Sequence, residues 1–595
     1  MKKSTNSSYI KWLMKHMLHY PVQFILNLIG IVLVTLTRTI IPVRIGTLID
    51  GILDPEFSGN VLIIILTLLG LYLLRNFTEY GIWMLGHNLG SKTEQRIRRE
   101  FFDSVQNKPL RYHDRVRTGD LIALASNDLR VLNTMISHGS FYIYPFAQSI
   151  LTIILQIESF DYRIVIFTGP LLILYTFFVL QYRKKLEPFS KQALSKHAGV
   201  TVVLQESLTG VQVTKAFSAE ALEFRKFRQK VKAYRENWLG ENRVQARFYP
   251  LLVLYISIGV TFIVSCILVH NNLMTLGDLT AVNLLQLTLV EPTGMIFWAV
   301  RDFIGGFGAS ERLYKMISTD KVEKRTAEAK TQRKSFKGKI EFRNISFSYP
   351  SNGNQNPLVL KNLNFTILPN QRVALVGPTG CGKTSIAKLL LRLYQPIEGE
   401  ILLDGKNIHN YPLDLVRQRI GLIEQDIFLF SQTIEDNIKF GQPRAELEEV
   451  IQVSKLAHVH DFVEKLPNGY KTIVGERGTR LSGGEKQRVA IARAFLTNPD
   501  ILILDDSMSA IDSETEEKIG RAIENVLQNR TTIIITHRLH TIRTSDYILV
   551  MDRSGGLSAM GTHEDLIYSS DEYRKIFGKQ LEKVEKSLIS GQGGS

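Results

Sequence analysis

The chain reads as a helical membrane domain of six spans followed by an α/β phosphate-loop domain, and three observations carry that reading. Apolar stretches of membrane-spanning length crowd the sequence up to about Ile304 and stop there. An apolar, partly β-branched run, Val373 to Val376, leads into Gly377-Pro378-Thr379-Gly380-Cys381-Gly382-Lys383-Thr384 and then into the helical stretch Ser385 to Leu391. From Ile340 to Phe577 short apolar strands alternate with helical segments, the pattern of a mostly parallel sheet.

At 595 residues the chain exceeds what one hydrophobic core holds. Its formal charge of +15 would suit nucleic acid if it lay on one soluble face. Much of it instead flanks the apolar stretches, so it reads as membrane orientation and no nucleic-acid partner is expected. Met1 to Tyr20 lacks a cleavable signal pattern. It mixes Lys2, Lys3, Lys11 and Lys15 with Tyr9, Ile10, Trp12, Leu13, Met14 and Leu18, as an amphipathic helix on the inner membrane surface would.

The expected spans are Val22 to Val43, Val61 to Met84, Tyr142 to Ile157, Ile164 to Tyr182, Leu251 to Val269 and Leu279 to Ile304. Each is about long enough to cross roughly 30 Å of hydrocarbon, the third only if its ends extend. Asp50 to Asn60 and His270 to Asp278 carry no Lys or Arg. The long connections carry Lys92, Arg96, Arg98, Arg99, Arg111, Arg115 and Arg117, and then Arg183, Lys184, Lys185, Lys191 and Lys196. These connections and both termini are therefore cytoplasmic. Helical periodicity runs through them, so spans 2 to 5 continue beyond the membrane and close in pairs on turns at Tyr112 to Asp120 and Glu206 to Phe217.

Arg38, Arg75, Glu79 and Glu291 lie inside the spans, Glu291 just before Pro292. A charge in hydrocarbon needs a partner or a watered cavity. Either some of these four line a substrate path, Glu291 beside a proline-broken sixth helix foremost, or they form ion pairs such as Arg75 with Glu79. Residues 1–317 thus form the transmembrane domain, 318–339 a charged linker, 340–577 the nucleotide-binding domain and 578–595 a flexible tail. The two cysteines, Cys266 in an apolar stretch and Cys381 in the loop, are not expected to bridge, which fits a reducing cytoplasm around the soluble half. Cys381 reads as a passive small residue ahead of a thiol-sensitive one.

Glycines in the loop let consecutive N–H groups converge on phosphate oxygens above the positive end of a helix. Lys383 then reaches the β- and γ-phosphates, and the Thr384 hydroxyl ligates Mg²⁺. That is a nucleoside triphosphate site. Ile501 to Asp505 is an apolar strand ending in a carboxylate placed to hold the metal. Leu481-Ser482-Gly483-Gly484-Glu485-Lys486-Gln487-Arg488 opens a helix whose serine and glycines form a second anion seat. Two seats with one lysine loop suggest that the second serves another subunit's nucleotide.

The serine-glycine stretch resembles the signature of the ATP-binding cassette (ABC) family, with Glu485 where glutamine is commoner, and the motif order is similar to that of exporter-type transporters. The resemblance implies ATP and Mg²⁺ as ligands, held by Gly377, Thr379, Gly380, Cys381, Gly382, Lys383, Thr384 and Ser385. It implies that Tyr349 stacks on adenine, a core tyrosine being the alternative. Gln425, in Ile423-Glu424-Gln425-Asp426, would contact Mg²⁺; His537, in Ile535-Thr536-His537-Arg538, would contact the γ-phosphate; Ser509-Ala510-Ile511-Asp512 would touch its counterpart across a dimer. The two cytoplasmic turns would be coupling helices.

One position departs from the family. Where it places glutamate after the Mg²⁺ aspartate, as the base polarising the attacking water, this chain has Asp506. The shorter carboxylate falls about 1 Å short, which can cost on the order of 10²-fold in rate. In this Asp506 resembles the slow subunit of bacterial heterodimeric multidrug exporters. The implied partners are a second half-transporter carrying glutamate there, the lipid bilayer and an amphipathic small molecule, in the cytoplasmic membrane. An ATP-binding regulatory subunit gating a partner, and a homodimeric peptide or lipid exporter, are the rival readings.

Overall fold

The computed structural model describes residues 5–53, 61–159, 162–247, 249–319, 335–350, 357–506 and 530–577. Most of the expected linker, the whole expected tail and the stretch Ser509 to Asp512 lie outside those residues. The chain divides into two compact units, Met1–Gln106 with Thr118–Asp320, and Asn107–Arg117 with Lys321–Ser595.

The first unit is helical: α1 (Thr5–Met17), α2 (Pro21–Leu53) and α3 (Val61–Gln106), then, beyond a short helix α4 (Leu110–His113) that belongs to the second unit, α5 (Thr118–Ala123), α6 (Leu129–Ser159), α7 (Tyr162–Thr209), α8 (Val211–Ala216), α9 (Glu220–Ala246), α10 (Tyr249–His270), α11 (Leu276–Leu287) and α12 (Val290–Ser318). Among the described residues Pro21–Leu53, Val61–Gln106 and the Glu220–His270 stretch are long and apolar enough to cross a membrane. α3 and α7 run 46 and 48 residues, about 70 Å each at the helical rise, so both outlast the hydrocarbon. Ile29, Phe77, Ile173 and Ile263 are exposed, as lipid-facing side chains are. At the N-terminus, α1 is tied to α3 through Glu100, which accepts from the Trp12 indole at 3.3 Å and pairs with His16 Nε2 at 2.7 Å.

The expected sixth span is interrupted: α11 ends at Leu287 and α12 begins at Val290. Pro292 has no N–H to offer the Thr288 carbonyl one turn back. Gln148 of α6 satisfies that stretch instead, its Nε2 donating to the Thr288 carbonyl at 3.4 Å and to the Thr288 hydroxyl at 2.8 Å. Arg38, only 4% exposed, donates from Nε to Glu79 at 2.8 Å and from Nη1 to Glu291 at 3.0 Å, while Arg75 Nε reaches Glu79 at 3.4 Å. All four ionisable residues singled out in the spans thus meet in one cluster joining α2, α3 and α12. Another tie is the Asp128–Arg312 fork at 2.7 and 3.0 Å, with Asp128 buried at a π turn just before α6.

In the second unit, β1 (Ile340–Phe347), β2 (Leu360–Ile367), β4 (Glu398–Leu403) and β5 (Lys406–Asn407) form an antiparallel sheet in the order β2-β1-β4-β5. A six-stranded sheet takes β3 (Arg372–Val376), β6 (Ile420–Ile423), β7 (Ile501–Asp505), β8 (Thr531–Ile535), β9 (Tyr547–Met551) and β10 (Leu557–Gly561) in the order β10-β9-β3-β8-β7-β6. All its pairings are parallel except β9 with β10. One core joins both sheets through Phe342, Phe347, Val373, Leu375, Leu390 and Ile503. A separate core gathers Leu429, Ile434, Val450, Val489 and Phe495 under the signature helix.

In the membrane unit α2 and α11 meet where both have glycine. A Cβ on Gly46 would lie 2.5 Å from the Gly277 carbonyl. Asp50 seals the contact by accepting the Gly277 N–H and the Thr275 hydroxyl, each at 2.7 Å. Gly46→Leu is therefore expected to lower the melting temperature of the purified protein, at a cost of about 1–3 kcal/mol, through overpacking; an exposed glycine, Gly70, changed in the same way is the control.

Candidate nucleotide site

β3 delivers the loop Gly377–Gly382, and the helix α13 (Lys383–Leu390) leaves it. Gly382 takes φ +102°, and a Cβ there would also strike the Leu360 side chain at 2.6 Å, so only glycine lets this turn enter its helix. Lys383 is buried; its ammonium donates to the Gly377 and Pro378 carbonyls at 2.8 and 3.0 Å. It thus stands inside the loop it is expected to serve. Thr379 and Gly380 are exposed at the loop crest, and Thr384 is exposed at the helix start. Cys381 is 2% exposed, and burial pushes its thiol above the ordinary range, which suits a passive small residue.

Sheet register sets the opposite wall. Leu375 pairs with Ile535, and Ile535 with Asp505, so the ends of β3, β8 and β7 lie abreast. The Thr384 hydroxyl hydrogen-bonds the Asp505 carboxylate, joining two of the three expected Mg²⁺ ligands. Burial raises the Asp505 pKa, with Asp506 adding to it and Lys383 opposing. A buried carboxylate beside a hydroxyl is an oxygen donor set that fits Mg²⁺, and the loop with its lysine fits a polyphosphate. Asp506 follows in the left-handed region at φ +42°, its N–H donating to the Ile535 carbonyl at 2.8 Å. His537 lies two residues beyond β8 and Gln425 two beyond β6, both exposed at this same edge of the sheet.

Tyr349 is half-buried and donor or acceptor to the Ser385 hydroxyl at 2.9 Å. Phe347 and Tyr394 meet its ring edge-on, and the Lys388 ammonium lies over it at 5.4 Å. These neighbours give Tyr349 the packing of a core aromatic as well as a fixed ring plane. Sequence reasoning passed over Lys388 and Tyr394, and placed the partner of the latter only within the first cytoplasmic turn. Within this same unit the Tyr394 hydroxyl donates to Asp114, Leu110 packs on the core, and Tyr112 is buried under Lys108. Asn107–Arg117 therefore belongs here by contact, although in chain order it falls within 1–317.

The signature helix, Gly483–Leu496, is capped by Ser482 and Glu485 in a reciprocal box: the Ser482 hydroxyl accepts from the Glu485 N–H at 3.3 Å, and Glu485 accepts from the Ser482 N–H at 2.8 Å. The S-x-x-E pattern was there to be read, and it explains the glutamate. Ser482 and Gly483 are exposed and Gly484 is half-buried. Asp512 lies outside the described residues. If Lys383 serves a phosphate as expected, Lys383→Ala would remove a charge-assisted hydrogen bond worth about 1.5–3 kcal/mol. Binding of a fluorescent ATP analogue to the full chain should weaken at least about tenfold.

Comparison with known proteins agrees with this arrangement. Residues 24–293 match the ABC transporter transmembrane region, and residues 360–509 match the ABC transporter family. The chain is 31% identical over 571 residues to the ABC transporter ATP-binding protein YknU of Bacillus subtilis (strain 168), covering 95% of this chain and 96% of that one. It is 31% identical over 563 residues to an ATP-dependent lipid A-core flippase of Thiobacillus denitrificans, covering 94% and 96%. A solved bacterial Atm1-family ABC exporter with ATP bound superposes with a TM-score of 0.79 at 28% identity, covering 93% of this chain and 98% of that one. A membrane region, a phosphate loop and a signature helix in one polypeptide, matched over nearly the full length, make this chain a member of the ABC transporter family, an exporter half-transporter.

Proposed function

We propose that this chain is the slow-site half of a heterodimeric exporter that uses ATP to move amphipathic small molecules, multidrug-like compounds foremost, out across the cytoplasmic membrane. The observation that carries it is Asp506 directly after Asp505. A compensating backbone shift is opposed by the hydrogen bond from the Asp506 N–H to β8. The carboxylate therefore stays one methylene short of the glutamate that the family uses, and its own nucleotide turns over slowly. The exposed Ser482 and Gly483, at a helix N-terminus, support a seat for the γ-phosphate of a partner's nucleotide. The exposed Val211, Val213 and Phe217 around α8 support docking on a second subunit.

In this reading Lys383 and the loop N–H groups hold the β- and γ-phosphates. Thr384, Asp505 and Gln425 hold Mg²⁺, which supplies charge neutralisation during phosphoryl transfer. Tyr349 orients the adenine, His537 contacts the γ-phosphate, and Asp506 orients water weakly. ATP shared by two nucleotide domains favours one arrangement of the helices, and hydrolysis at the partner's competent site removes that bias. The lipid A-core flippase among the relatives favours a second reading, a homodimeric lipid exporter.

Asp506→Glu tests the slow site. ATPase measured on the purified chain alone and paired with a glutamate-bearing half should rise about tenfold or more at this site, since the missing methylene is restored. Two equally fast sites in the unmodified chain alone would overturn the heterodimer, and pairs that bind ATP without turnover or vesicle transport would overturn the pump. For the membrane cluster, Glu291→Gln should change the transport profile in inside-out vesicles with little loss of stability. Arg38→Ala strands two carboxylates and should destabilise the fold by about 3–5 kcal/mol. An unchanged profile in Glu291→Gln removes that residue from the path.

A further inference from the structure

We propose that α7, α9 and the start of α10 form a docking site for an anionic phospholipid of the inner leaflet. A cavity of about 450 Å³ opens between these helices. Lys185, Arg243 and Arg247 line it with a single acid, Glu236. Among the described residues none of the three cations has a salt-bridge partner. Among the described residues the lining thus carries three cations to one acid, with the buried Glu241 behind it near Tyr182, and the balance stays positive. Its floor is preformed: Gly240 lets the Phe189 ring lie on α9, where a Cβ would stand 2.7 Å from that ring, and Asn237 donates to the Phe189 carbonyl at 3.1 Å.

The second half of the site is apolar. Phe178 and Tyr249 close one side with ring centroids 5.7 Å apart. Arg247 and Tyr249 also line a neighbouring cavity of about 660 Å³ that continues along Leu252, Tyr255 and Ile256, all exposed. Cations at one end and an apolar groove leading away from them match a phosphodiester head with its acyl chain. The level is right as well: Lys185 stands three residues beyond Tyr182, where the fourth apolar stretch ends, and Arg247 four residues before Leu251, where the fifth begins. Basic pockets between helices on the cytoplasmic side are where anionic headgroups bind. A zwitterionic lipid would leave the net charge unanswered, and a free anion would leave the groove unused. The inference rests on the chain spanning the membrane with these helix ends on the cytoplasmic side, so it stands or falls separately from heterodimerisation and cargo.

The test uses the full chain in phosphatidylcholine nanodiscs carrying a photoactivatable phosphatidylglycerol, with crosslinks mapped by mass spectrometry. Labelling is expected within residues 178–189 and 240–256. It should fall at least about fivefold in Lys185→Gln/Arg243→Gln/Arg247→Gln, since each cation near the surface contributes about a fivefold preference. Lys230→Gln/Lys232→Gln should label as the unmodified chain does. Partial recovery by restoring Arg247 as lysine shows that the loss is one of charge rather than of folding. Equal labelling by a phosphatidylcholine probe, or retained labelling in the triple variant, overturns the proposal. So does displacement by millimolar inorganic phosphate, which would mark a free-anion site, and so do crosslinks between two copies of the chain at Arg247.

Discussion

The parallel alignment of β3, β8, β7 and β6 is the constraint on which the nucleotide site depends. Parallel strands bring all their C-terminal ends to one edge, so residues separated by more than a hundred positions arrive side by side. Leu375, Ile535 and Asp505 stand abreast because each strand is buried on both faces, and a slip of one residue would turn the aspartate away from the loop. The loop itself adds little side-chain chemistry beyond Lys383 and Thr384. Its glycines at positive φ permit the tight turn between β3 and its helix.

The membrane unit solves the opposite electrostatic problem. Where the nucleotide unit gathers polar groups at the exposed edge of a sheet, the spans must neutralise theirs inside the membrane. Arg38 is shared by Glu79 and Glu291, and Arg75 completes a cluster with two charges of each sign. Because one member of that cluster sits on the first turn of α12, the break between α11 and α12 and the ion pairing are one feature. The interruption frees the Thr288 carbonyl, Gln148 satisfies it, and the helix restarts with Glu291 near its positive end.

Burial and exposure divide the nucleotide-binding unit by task. Lys383, Ser385 and Asp505 are held in place by the fold, while Thr379, Gln425, Ser482, Gly483 and His537 face outward. Asp506 lies between these groups, its main chain held by β8 and its side chain partly exposed. The capping box at Ser482 orders the start of its helix through both the hydroxyl and the N–H of that serine.

Much of this was legible from local chemistry. Periodicity, the loop glycines, the apolar strand before Asp505 and the serine-glycine turn each express a preference satisfied within about ten residues, and each led to the corresponding element. The pairing of Arg75 with Glu79, one helical turn apart, was readable for the same reason. What the tertiary structure alone decided are contacts between distant positions: Arg38 with Glu291, Asp114 with Tyr394, Lys388 over Tyr349, and the cations that converge between α7 and α9. No local pattern specifies which of many compatible charges or rings will meet, because that choice is made by the packing of whole helices and sheets.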